Sequence, residues 1–108
     1  MDKLSIKEKR ALQELKESLA SRYNLLEMKL FGSKARGEGE EESDLDVFIL
    51  LDHLDWETEK QIYELCFEIS LENEVLLSPL LYSQEEIDDP LTRITPIYQV
   101  LEKEGVRL

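Results

Sequence analysis

Leu45 to Leu51, LDVFILL, constrains the fold more than any other stretch of this chain. After its first residues it is apolar at odd and even positions alike. Successive strand residues point to opposite faces, so such a run belongs in the middle of a sheet rather than at an edge. It is entered through Asp44-Leu45-Asp46, two carboxylates spaced to share one face. Upstream lies FGSKARGEGEEES, a break at Gly32-Ser33 and then a Gly- and Glu-rich loop.

The flanking chain supplies the layers that such a strand needs. Residues 5 to 22 read as an amphipathic helix, with Leu12, Leu15 and Leu19 at i, i+3, i+7. Ser5 and Glu8 fit a capping box at its start. Leu25 to Phe31 reads as a first strand, with Leu26, Met28 and Leu30 on one face and Lys29 on the other. Ser33 to Arg36 reads as a short helical turn, and Gly37 and Gly39 as loop punctuation. Asp55 is placed to cap a helix over Trp56–Asn73, with Trp56 packing its start and Ile62, Leu65, Cys66 and Ile69 on its apolar face. Val75 to Tyr82 reads as a third strand. Ser83 and Glu86 form a second capping box, for a short helix ended by Asp89-Pro90. Thr95 caps a last helix with Pro96 at its first position and Gly105 past its end. The expected fold is α/β (α+β), a small mixed sheet of three or more strands covered by helices.

Length and charge narrow the function classes. At 108 residues the chain is expected to form a single domain, 1–108, with one core. Apolar residues make up 42% and charged residues 35%, which suits a folded protein rather than a disordered one. No apolar run is long enough to cross a bilayer and no basic-then-apolar leader opens the chain, so neither membrane insertion nor a signal peptide is expected. The single cysteine, Cys66, has no internal partner, which points to a cytoplasmic setting, and its place on the apolar helix face points to a core thiol. The net charge of −12 repels polyanions, so direct nucleic-acid binding is not expected; the charge suits a basic protein partner, and equally a plain role in solubility.

Asp44 and Asp46 offer hard oxygen ligands suited to Mg²⁺ or Mn²⁺. An isolated Asp-x-Asp is more often a solvated loop end, and Phe48 at the next alternate position rules out an EF-hand. Gly32-Ser33 shifts that balance. A glycine between a strand and a helix start lets backbone approach a phosphate, and the Ser33 hydroxyl adds a donor. Lys34 and Arg36 are the only cations between residues 32 and 52, against seven carboxylates. His53 and Glu40 to Glu42 read as loop residues. A sugar-transfer reading of Asp44-Leu45-Asp46 leaves Gly32-Ser33 idle.

Taken together, Gly32-Ser33, Ala35-Arg36-Gly37 and Ser43-Asp44-Leu45-Asp46 resemble the GS…DxD signature of the DNA polymerase β-like nucleotidyltransferase superfamily. The form GSKARGEGEEESDLD is similar to its minimal nucleotidyltransferases. The resemblance covers about the first eighty residues well and implies the polymerase β-like fold. It also implies metal-dependent transfer of a nucleoside monophosphate, AMP from ATP or another NTP, to a hydroxyl. Carried over by position, Gly32 and Ser33 hold the triphosphate, with Arg36 steadying the loop or the phosphates. Asp44 and Asp46 ligate Mg²⁺ or Mn²⁺ and are catalytic, and Ser43 caps the turn before the strand.

The superfamily's third carboxylate, on the next core strand, has no Asp counterpart in Glu74-Val-Leu-Leu-Ser78. Glu74, just before that strand and expected to share a face with Leu76 and Ser78, is the one candidate substitute as metal ligand and catalytic group; the other reading is an ordinary solvated glutamate. The implied partner is a helical HEPN-type toxin, modified on a tyrosine by this chain acting as antitoxin. The alternative is a catalytically degenerate module of the same fold that neutralises its partner by binding alone.

Overall fold

The computed structural model describes residues 4–38 and 44–108, so Gly39, the Glu40–Glu42 run and Ser43 lie outside the described residues. In chain order the elements are α1 (Ile6–Arg22), β1 (Leu25–Phe31), α2 (Gly32–Arg36), β2 (Leu45–Leu51), α3 (Trp56–Asn73) and β3 (Leu77–Ser83). They continue with α4 (Gln84–Asp88), α5 (Pro90–Arg93), α6 (Pro96–Glu104) and β4 (Val106–Arg107).

The strands form one mixed sheet in the order β3-β2-β1-β4. β2 runs antiparallel to β1 and parallel to β3, which makes it central, as its two apolar faces require. Leu45, Val47, Ile49 and Leu51 point into the main core, with Leu12, Leu15 and Leu19 of α1 and Ile62, Cys66 and Ile69 of α3. Phe48 and Leu50 point the other way, into a smaller cluster with Phe31, Ile87 of α4 and Leu101 of α6. Phe48 and Tyr82 meet there at 5.8 Å between ring centroids. Asp46 is two residues before Phe48 and so lies on the face of this smaller cluster.

The caps follow the local chemistry. Both capping boxes form, Ser5 with Glu8 and Ser83 with Glu86, each satisfying orphan amides at a helix start. Asp55 accepts from the Thr58 amide to start α3, and Thr95 with Pro96 starts α6.

Four details depart from the sequence expectation. A register shift between Leu25 and Glu27 turns Leu25 toward the core and leaves Leu26 exposed. The chain past Asp89 forms α5 rather than a plain stop, because Asp89 caps a new turn with Pro90 at its first position. β4, two residues long, adds to β1 and closes that side of the sheet. Trp56 does not pack at the start of α3. Its ring is 74% exposed, with the Lys60 ammonium 5.8 Å above it.

Among the described residues no helix is long and apolar enough to cross a membrane. Cys66 is buried, and burial pushes its thiol up to about 12, leaving essentially no thiolate at neutral pH. We expect Cys66 to resist alkylation by iodoacetamide in the folded protein and to react fully in denaturant. Rapid labelling of the native protein, read by mass spectrometry, would contradict the burial.

Candidate functional site

The site forms where β1 ends beside the start of β2. Phe31, the last residue of β1, pairs with Asp46, and the chain turns at once into α2. Gly32 makes this turn with φ +77, a left-handed conformation that costs a residue with a Cβ about 1–2 kcal/mol. A Cβ here would also overlap Asp46 Oδ2 and come within 3.2 Å of Asp46 Cγ. Glycine is therefore required twice, by the dihedral and by the carboxylate. Gly32-Ser33 and Asp46 are packed parts of one site, although the sequence between them is long.

Asp44, just before β2, and Asp46, on it, stand two apart with Leu45 fully buried between them in the chain. Asp44 is exposed and Asp46 half-buried. Burial first, and the Asp44 carboxylate second, push Asp46 above the ordinary aspartate value, and Arg36 offsets part of this. Two carboxylates held together against their own repulsion are the donor set of a hard divalent cation. The residues present fit Mg²⁺ or Mn²⁺ in their chemistry.

The cations near the site are differently placed. Lys34 is buried and its ammonium lies 2.9 Å from the buried Glu8 carboxylate, so α2 is tied to the first turn of α1. Burial acts to raise Glu8, but the Ser5 amide and the Lys34 charge outweigh it and hold Glu8 below the usual carboxylate range. Lys34 therefore anchors the turn and is not free to face a phosphate. Arg36 is the partly exposed cation, held at 2.9 Å from Glu38 and 2.7 Å from Glu104 of α6. No side chain caps the start of α2.

Glu74 is not brought to the two aspartates. It occupies the left-handed C-cap of α3 with φ 56, and its exposed carboxylate pairs with Lys7 at 3.3 Å. β3 starts at Leu77 rather than Val75, and the positive φ breaks the alternation that placed Glu74 on the face of Ser78. Ser78 is the residue that β3 sets abreast of Asp46. Among the described residues no group of three His, Cys, Asp or Glu side chains could hold a metal together. Sequence reasoning named Ser78 only as a face-mate of Glu74, and it missed the Lys34–Glu8 pair and Glu104. The last two are contacts between distant segments and leave no local signal. His53 is an exposed loop residue 3.7 Å from Asp55, as expected.

Residues 12–103 match the nucleotidyltransferase domain model. The chain belongs to the nucleotidyltransferase domain family. Two candidate protein adenylyltransferases of Methanocaldococcus jannaschii are similar to it. MJ0141 is 45% identical over 56 residues, 51% of this chain and 57% of that protein. MJ0604 is 34% identical over 80 residues, 72% of this chain and 76% of that protein. The matched part thus spans little more than half of the first relative.

Among solved structures, a candidate minimal nucleotidyltransferase superposes with a TM-score of 0.62 at 24% identity, covering 97% of each chain. A toxin–antitoxin solved with AMP-PNP superposes at 0.63 with 19% identity, over 92% of this chain and 70% of that one. At these identities the likeness is one of fold: the four-stranded mixed sheet with its helices is the nucleotidyltransferase fold.

Two outcomes follow from this geometry. Gly32→Ala should lower Tm, and Asp46→Ala placed in the same chain should recover the part due to overlap while the left-handed strain remains. Strictly additive losses in that double-mutant cycle would refute the contact. Glu8→Gln keeps the capping box but strands the buried Lys34 charge, and should cost on the order of 3 kcal/mol at neutral pH. Because Glu8 is depressed when folded, its contribution is present above the ordinary glutamate value of 4.5 and fades as pH falls through the folded value. The Tm gap between wild type and Glu8→Gln should therefore narrow on acidification below that value, measured by thermal melts across pH.

Proposed function

We propose that this chain is a minimal nucleotidyltransferase, one domain over residues 1–108, that moves AMP from ATP onto a hydroxyl of a partner protein. The observation that carries the reading is the contact of Gly32 with Asp46, which joins a phosphate-friendly turn to a metal-friendly strand end. In this reading Asp44 and Asp46 hold Mg²⁺ or Mn²⁺. Gly32 leaves room for the triphosphate, which the Ser33 hydroxyl and the amides at the uncapped start of α2 receive. Arg36, clamped by Glu38 and Glu104, fixes the loop and lends charge to the phosphates.

A bound divalent ion would neutralise the phosphates and present the α-phosphorus to attack. The acceptor oxygen bonds to that phosphorus as its bond to the bridging oxygen breaks. Pyrophosphate leaves, and the hydroxyl proton goes to water.

The adenylyl group is supported by the names of the two archaeal relatives and by AMP-PNP in the fold neighbour. A protein acceptor is supported by the same names. That neighbour is a toxin–antitoxin, which favours a toxin partner and an antitoxin role. The family resemblance supports, as the partner, a HEPN-type helical protein modified on a tyrosine. A cytoplasmic setting accords with the lone, buried Cys66.

One observation favours a second reading, neutralisation of the partner by binding alone: Ser78, not a carboxylate, stands abreast of Asp46. The two readings separate in one experiment with labelled ATP, Mg²⁺ and the co-expressed partner. Transfer should fall by roughly a hundredfold or more in Asp44→Asn/Asp46→Asn. Mg²⁺ should raise the Tm of wild type and not of that variant. Equal labelling by both proteins would end the catalytic reading. Absence of labelling with full neutralisation by the variant would establish the binding-only one.

A further inference from the structure

We propose that the outer face of α3 is a docking surface for a helix of a partner protein, one with an apolar stripe flanked by Lys or Arg. Trp56, Tyr63, Phe67 and Leu71 are spaced by seven, four and four residues, which puts them in one line along the helix. All four project to solvent, with exposures of 74, 51, 65 and 65%. The opposite face of α3, through Ile62, Leu65 and Ile69, is already committed to the core, so this stripe is not needed for folding.

Beside the stripe the chain leaves a shallow apolar hollow of about 290 Å³ between α3 and β3, where Leu76 and Pro79 join Tyr63, Phe67 and Leu71. A hollow running along a helix accepts the protruding side chains of a second helix. Strand addition is a poorer fit, although β3 is an edge of the sheet. Pro79 lies within that edge and has no N–H to offer.

The charges around the stripe identify the occupant. Glu57, Glu64, Glu68 and Glu72 all fall on the flank of α3 turned away from β3, and all are exposed. Lys60 is the only cation of the helix, and it lies over Trp56. A helix laid over the stripe, with one edge in the hollow, would meet the row of carboxylates along its other edge. Arg22 and Arg10 of α1 stand beside that row but leave it net acidic, so basic side chains would satisfy it and acidic ones would not. A second copy of this chain fits badly, because it would bring the same acidic flank and its own charge of −12 to the contact. The surface takes from the proposed function only that a partner protein exists, and neither Asp44 nor Asp46 lines it.

The test uses the full chain and two synthetic helical peptides. Both carry a leucine stripe, flanked by lysines in one and by glutamates in the other. The lysine peptide should bind at least about tenfold more tightly, and Phe67→Ser/Leu71→Ser should weaken it by about tenfold or more. Glu64→Lys/Glu68→Lys, at exposed positions that folding does not use, should reverse the preference between the peptides. Asp44→Asn/Asp46→Asn should bind as wild type does, so that loss of nucleotidyl transfer and loss of docking are read separately. No binding, equal binding of the two peptides, or binding indifferent to both surface variants would overturn the proposal. A dimer of the wild-type chain, dispersed by Phe67→Ser/Leu71→Ser in sedimentation, would overturn it in favour of a second copy.

Discussion

Gly32 and the Asp46 carboxylate occupy space that one additional methyl group would fill. The turn out of β1, the register of β1 on β2 and the position of the metal-type carboxylates are all conditions of that approach. Phe31 pairs with Asp46, so the residue after Phe31 must turn away immediately and must do so without a side chain. The left-handed dihedral at Gly32 is the local expression of this requirement.

Electrostatics then hold the turn in place. The Lys34–Glu8 pair is removed from water and joins α2 to α1, while Arg36 joins it to α6 through Glu104. The five-residue α2 is too short to be stable as an isolated helix. Its position comes from these two anchors on opposite layers of the fold. Asp44 and Asp46 are left with a local excess of negative charge, which is the electrostatic content of the site.

Much of the fold was legible because it rests on local chemistry. β1, β2 and α3 have the limits expected from their apolar periods, and every expected cap at Ser5, Asp55, Ser83 and Thr95 forms. The glycine turn and the paired aspartates were legible for the same reason. What escaped depends on tertiary placement. Lys34 looked like a free cation because nothing local says that α1 approaches it. Glu74, just ahead of the expected strand, reads as in phase with Leu76 and Ser78, and its left-handed backbone, set by the end of α3, is not written in the side-chain pattern. β4 is too short to carry a period of its own and exists through its pairing with Lys29 and Leu30.

The burial of Lys34 bears on the order in which ligands can arrive. With that ammonium spent on Glu8, the segment from α2 into β2 meets an incoming nucleotide with Arg36 alone, itself shared between two glutamates. A bare polyphosphate approaching Asp44 and Asp46 is repelled at every step, whereas one already chelated arrives with its charge largely cancelled. On the proposed chemistry the cation and the nucleotide enter as a single unit, and cellular magnesium, through its hold on ATP, decides how much substrate the site encounters.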